Sequence, residues 1–247
     1  MAKVVLIDIR DDDDEDEAIE ALLDQLGLDE RSDYHLQGQH DQATHNPHLG
    51  ADEKTSVEAK FLTGRAKNAE PQATKVLQEA IGQFGGRMYG LDYKIKTGES
   101  LERKMKQRVA ENPGLTPTDV ALGISDALRY TAVFNDGNYA KGVKSTLGEL
   151  QASGFAIEKV KNYWHPGDSY DGINVAMKNQ DGLKIELQFH SGSSIDVKEN
   201  KSHPIYEKLR VVKDPKEAKL YKDQLSALWH SVAIPAGAMT IGNLMMA

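Results

Sequence analysis

Short runs of mixed apolar and polar positions over residues 128–135, 155–163, 173–179 and 183–190 predict four strands, the last two alternating with a period of two. The last two meet at Asn179-Gln180-Asp181-Gly182, a hairpin turn in which Asp-Gly supplies a positive φ at little cost. Over 55–84 the spacing is helical instead, with Val57, Phe61, Val76, Leu77, Ala80, Ile81 and Phe84 recurring on one side. Pro71, following Ala69 and Glu70, is expected to split this stretch into two helices, the second ending at Gly85-Gly86. Helices are also predicted over 100–111, 139–154 and 215–230, the last with Leu220, Leu225 and Leu228 inward. Residues 93–96 read as extended, 112–118 as a Pro/Gly/Thr loop, 4–9 as a strand and 18–28 as a short helix. Strands and helices that alternate in this way imply an α+β domain, a mixed central sheet flanked by helices.

Charge separates the chain into regions. Residues 1–50 carry fourteen acidic and three basic side chains, a balance of −11, which leaves +3 for residues 51–247. The acidic run from Asp11 to Glu17 repels itself and cannot be buried unpaired, so residues 1–50 read as a largely flexible appendage. The domain is expected over 51–230, followed by an apolar tail over 231–247. Without cysteine there can be no disulfide, thiolate nucleophile or zinc–thiolate site, so any metal must sit on oxygen or imidazole. His35, His40, His45 and His48 are spaced by five, five and three, which does not match the three or four that helical metal ligands need. No apolar run is long enough to span a bilayer, and the first residues do not form a secretory signal. A soluble, cytoplasmic protein is therefore expected.

The densest candidate chemistry lies between residues 94 and 108, where six cations face only Glu99 and Glu102. An extended segment would place Lys94 and Lys96 on one face, a Thr-Gly turn would follow, and Ser100 would cap a helix carrying Lys104. Cations, a hydroxyl and helix-start amides converging in this way suit a polyphosphate. Glu186, Gln188 and His190 alternate on a later strand, and an ordinary solvent face would show the same pattern.

This lysine run resembles the synthetase domain of the RelA/SpoT family, pyrophosphokinases that make alarmone nucleotides and include small toxin-like members. The family pattern basic-x-Lys-x-x-x-Ser-Ile-x-x-Lys is met by Lys94, Lys96, Ser100, Leu101 and Lys104. Asp126 and Arg129 resemble the Asp-and-Arg strand, although in the family the Asp lies five residues before the Arg and in this chain three. Tyr170-Asp-Gly-Ile-Asn174 resembles the Gly-Tyr-x-Ser-x-His block, with Asn174 in place of histidine. The segment from Ile185 to Ser191 resembles Val-Glu-Val-Gln-Ile-Arg-Thr, with His190 in place of arginine. All four blocks come in the family order, over about half of the chain. Separately, residues 35–45 resemble a short motif of phage head-assembly polypeptides, which implies a phage origin or carriage in a phage particle.

The resemblance implies a nucleotidyltransferase-type fold and transfer of the β,γ-pyrophosphate of ATP to the 3′-hydroxyl of a purine nucleotide, GDP/GTP or ADP/ATP. Asp126 and Glu186 would be catalytic and would bind Mg2+, while Lys94, Lys96, Ser100, Lys104 and Arg129 would hold ATP. Tyr170, Asn174, Gln188 and His190 would face the acceptor, Tyr170 by stacking on its base. With no product-removing hydrolase domain recognisable, a growth-inhibiting effector neutralised by an antitoxin or immunity protein is implied. The balance of only +3 disfavours a tRNA 3′ end as acceptor. Two other readings stay open: a non-catalytic nucleotide- or RNA-binding module of the same fold, and a virion component. Oligomeric state is not legible.

Overall fold

The computed structural model describes residues 48–165, 170–242 and 244–245. The expected strand at 4–9, helix at 18–28, acidic run and first three histidines lie outside the described residues. The described residues form two compact units, one comprising residues 48–68 and Thr97–Gly123 and the other Ala69–Lys96 and the described residues from Ile124 onward. The division falls inside helix α1 (Ala51–Gln83), which continues through Pro71. Two helices were expected here. The buried stripe of Leu62, Ala66, Ala73, Leu77 and Ile81 keeps helical spacing across the proline, and burial of that stripe outweighs the one backbone donor that Pro71 lacks.

The first unit consists of the start of α1 with α2 (Gly98–Glu111) and α3 (Pro117–Gly123). Its core is Val57, Leu62, Leu101, Met105 and Val120. The α3 helix replaces the end of the expected loop; Pro117 suits a first helical turn because its missing N–H is unneeded there. Buried Glu58 accepts from the Thr118 hydroxyl, and Ser56 donates to Glu102 Oε1 at 2.6 Å.

The second unit is built on six strands, β1 (Arg87–Tyr89), β2 (Arg129–Phe134), β3 (Ala156–Asn162), β4 (Ile173–Lys178), β5 (Lys184–Ser191) and β6 (Leu244–Met245), in the order β1-β2-β5-β4-β3-β6. Only β2 and β5 run parallel. One sheet face is apolar: Tyr130, Ala132 and Phe134 of β2 share it with Ile185, Leu187 and Phe189 of β5 and Val175 of β4, all buried. The end of α1 and helix α4 (Tyr139–Ala152) cover this face. Tyr130 bonds Thr74 Oγ1 at 2.8 Å, and burial pushes its hydroxyl pKa up to about 12. The Phe134 ring nests between Gly86 and Gly142, where any Cβ would lie 2.5 and 2.4 Å from ring atoms.

The β4–β5 hairpin turns where expected, with Gly182 at φ 77°. After β5 the chain is helical through α5 (Gly192–Asp196), a π-helical turn (Val197–Ser202) and α6 (His203–Val211), then α7 (Pro215–His230). Leu225 and Trp229 are the buried side chains of α7, whereas Leu220 is 53% exposed, a correction to the expected inward set. The residues after α7 pack onto the unit: Val232, Ala238 and Ile241 are buried, and Asn162 Nδ2 donates to the carbonyls of Ala238 and Ile241 at 2.9 and 2.8 Å. No helix among the described residues is long and apolar enough to cross a membrane.

Candidate active site

The second sheet face is polar. Register places Arg129, Glu186, Ala176 and Lys159 in one row across β2, β5, β4 and β3. The next row holds Thr131, Gln188, Asn174 and Lys161, and His190 follows beside Val133. A plain solvent face would leave these side chains wet, yet Gln188 is 6% and His190 0% exposed. The cover comes from the helical segment after β5 and from Trp229 of α7.

Hydrogen bonds order this face into two groups. Lys198 Nζ, from the π-helical turn, donates to Gln188 Oε1 at 2.8 Å. A lysine cannot accept, so the Gln188 amide must turn its nitrogen the other way, and Nε2 donates to Glu186 Oε1 at 3.3 Å. In the second group the Tyr170 hydroxyl donates to Asn174 Oδ1 at 3.0 Å and contacts His190 Nε2 at 2.8 Å, while His190 Nδ1 meets Ser194 Oγ at 2.9 Å. One hydroxyl has one proton. Tyr170 therefore accepts from His190 Nε2–H, and Nδ1 accepts from the Ser194 hydroxyl, which itself accepts from the Ser191 N–H at 3.0 Å. The chain of donors runs Ser191, Ser194, His190, Tyr170, Asn174, and needs a neutral His190.

Electrostatics agree with that assignment. Burial, followed by the nearby Lys198 charge, holds the His190 pKa well below its usual value. Burial and then the Glu186 carboxylate raise the Tyr170 pKa well above its usual value. The Tyr170 ring meets those of Tyr163, His190 and Trp229 edge-on, with centroids 5.4, 5.4 and 5.3 Å away. Gly172 lets the group close up, because a Cβ there would stand 3.0 Å from both His190 Cε1 and the Tyr170 hydroxyl.

Asp126 precedes β2 and pairs with Lys96 at 3.1 Å. It enters the sheet at the end where Glu186 donates its N–H to the Leu128 carbonyl at 3.0 Å and Arg129 lies beside Glu186 in register. Lys94 pairs with Glu70 at 3.3 Å and donates to the Leu91 carbonyl at 3.0 Å. The segment around these lysines is not a strand. Gly90 at φ 65° opens a 3-10 turn (Leu91–Tyr93), Lys94 has helical backbone angles, and Ile95 makes a single bridge to Leu128. Ser100 does not cap α2; Thr97 does, accepting from the Ser100 N–H at 3.3 Å. Ser100 and Lys104 stand on α2 in the first unit, and the other expected site residues all belong to the second.

Two residues of this face, Ser194 and Lys198, were not anticipated. Their segment shows neither a period of two nor a clear helical stripe, and a π turn shifts its side chains by one position relative to an α-helix. As to metal, no group of three or more His, Asp and Glu gathers among the described residues. The two expected Mg2+ ligands are hard carboxylates, the donor type that suits the ion, with its remaining positions left to water and phosphate.

No family model and no curated protein matches the chain. Among solved structures it is similar to the crystal structure of the complex between the Type VI effector Tas1 and its immunity protein, at 22% identity, covering 74% of this chain and 96% of that one with a TM-score of 0.50. Weaker likenesses are to a GTP pyrophosphokinase family protein from Streptococcus pneumoniae (12% identity, 68% of this chain and 84% of that one, TM-score 0.45) and to small alarmone synthetase 2 from Bacillus subtilis (12%, 69% and 90%, 0.45). The fold is the mixed α+β, RelA/SpoT-like one that the sequence resemblance implied, and at these identities the likeness speaks to fold alone.

Proposed function

We propose that this chain is a nucleotide pyrophosphokinase that moves the β,γ-pyrophosphate of ATP to the 3′-hydroxyl of a purine nucleotide. One observation carries the reading: exposed Arg129 and half-buried Glu186 are neighbours in register at the open end of a polar sheet face whose Gln188 and His190 are covered, with Asp126 at the entrance to the same strand pair. In the reaction the acceptor O3′ attacks Pβ of ATP, the new O3′–Pβ bond forms, the bond from Pβ to the oxygen bridging Pα and Pβ breaks, and AMP leaves. Such in-line transfer asks a protein mainly for positioning and for charge to offset that of the phosphates. Arg129 supplies a fixed cation and two or more donors to phosphate oxygens. Glu186 receives the proton from the 3′-hydroxyl. Asp126 and Glu186 would hold Mg2+, which when bound would offset charge on the transferring phosphates.

Acceptor recognition is assigned to Tyr170, Asn174, Gln188 and His190, the side chains of the ordered hydrogen-bond groups. The likeness to Tas1, whose structure is of an effector with its immunity protein, supports a growth-inhibiting role with a neutralising partner for this chain as well. The Lys96–Asp126 pair favours the competing reading of a binding module, because it already occupies a carboxylate that the metal requires. Incubating the purified protein with γ-labelled ATP, Mg2+ and GDP, GTP, ADP or tRNA separates the two. Label in a purine nucleotide supports the kinase; ATP binding without transfer to any acceptor would leave the module.

A further inference from the structure

Among the cations of the polar face, Lys198 has no part in the function just proposed, and its setting is unusual. It reaches the sheet from the π-helical turn, a local irregularity that recurs at functional sites. Its ammonium sits over Gln188 in the middle of the sheet, 2.8 Å from Oε1, with its side chain 23% exposed. Its carboxylate neighbour is Glu199, at a loose 3.4 Å. Arg129 and Glu186 both lie near enough to act on its charge, Arg129 against it and Glu186 for it, and burial is the largest influence of all, pulling its pKa down. Withdrawing an ammonium this far from water is costly, and an exposed lysine on the same helical segment would cost nothing. Two of its three N–H donors go to Gln188 and Glu199, and a third remains.

We propose that Lys198 is a phosphate-binding residue of this site, one that with Arg129 brackets Glu186 and donates to a polyphosphate oxygen of the bound nucleotide. Gln188 holds the ammonium in place until then. The inference rests on the proposed nucleotide function but not on catalysis, because it concerns binding of the phosphate chain. It also gives the π turn a purpose: that turn aims a lysine at the strand from a helix that otherwise presents Lys201 to solvent, paired with Asp196 at 2.8 Å.

The test measures binding of ATP and of inorganic pyrophosphate to the full chain by calorimetry, for wild type, Lys198→Met, Lys198→Arg and, as a control on α7, Lys219→Met. Lys198→Met should weaken both ligands at least about tenfold, the loss expected of one charge-assisted hydrogen bond, and Lys198→Arg should recover most of it. Lys219→Met should bind as wild type does. Unchanged affinity in a folded Lys198→Met protein would overturn the proposal. Should that variant fail to fold, reductive methylation of the wild type decides, read by mass spectrometry: ATP should protect Lys198 and leave Lys219 unprotected, and equal modification of Lys198 with and without ATP would refute it. Lys198-dependent binding without label transfer would sink the kinase and spare this inference. Transfer at subsaturating ATP that is unaffected by Lys198→Met would do the opposite.

Discussion

Removing one oxygen from Tyr170 tests the donor chain from Ser191 to Asn174. The variant Tyr170→Phe keeps the ring and its edge contacts with Tyr163 and Trp229, at 5.4 and 5.3 Å, and deletes only the bonds to Asn174 at 3.0 Å and His190 at 2.8 Å. Asn174 is half-buried, so its oxygen can find water. His190 is fully buried, and its Nε2–H would lose the 2.8 Å acceptor, with the Asp171 carbonyl beside the ring left to take over part of the bond. A buried donor that loses its shorter partner costs up to the about 1–3 kcal/mol of an orphaned one. In a unit of this size each kcal/mol lowers Tm by about 2–4 °C, so a fall of roughly 2–12 °C is expected by differential scanning calorimetry. Repeating the change in a His190→Leu background should cost less by about 1 kcal/mol, since the pair acts as one unit. A Tm that does not move in the wild-type background, or strict additivity with His190→Leu, would refute the assigned direction of the chain.

Further expectations concern packing and pH. Gly142→Ala puts a Cβ 2.4 Å from Cδ1 and Cε1 of Phe134, whose ring cannot retreat because Gly86 backs it; a loss of about 1–3 kcal/mol in urea unfolding is expected. Gly148→Ala on the same helix meets nothing within 4 Å and should stabilise by about 0.5–1 kcal/mol. Because the folded protein holds His190 neutral while the unfolded chain protonates it near pH 6.5, stability contributed by this residue is complete above about pH 7 and falls as pH drops towards 5, by at most about 1.4 kcal/mol per pH unit. His190→Gln should flatten that part of the urea midpoint against pH, and an unchanged slope would contradict the assignment.

Much of the second unit was legible because its strands are short and mostly alternating: 185, 187 and 189 point to the core, 186, 188 and 190 to the other face, and β2 and β4 follow the same rule, while β3 breaks it at an irregularity between Ile157 and Lys159. The hairpin glycine was legible for the same local reason. What failed was long-range or depended on exact backbone angles. Pro71 reads as a breaker because its cost is local, whereas the stripe that overrides it spans both sides of the residue. Lys94 and Lys96 have the spacing of a strand, but Gly90 turns the chain into a 3-10 turn before them. Whether the alternating face of β5 was solvent or site depended on Ser194, Lys198 and Trp229, which cover it from helices that no nearby pattern links to the strand. Leu220 and Leu225 look alike to a periodicity argument, and only the packing of Trp229 chooses the face of α7.

The central claim is that Glu186 acts in the transfer step on a face that binds nucleotide. Glu186→Gln keeps the side chain's size and its place between Arg129 and Gln188 while removing the charge and the basic site. Calorimetry of ATP binding, paired with transfer of γ-label to a purine nucleotide, reads both halves of the claim in one protein. The account predicts ATP affinity within about threefold of wild type and transfer lowered by about 10²–10⁴-fold. A Glu186→Gln protein that transfers label at the wild-type rate would contradict it.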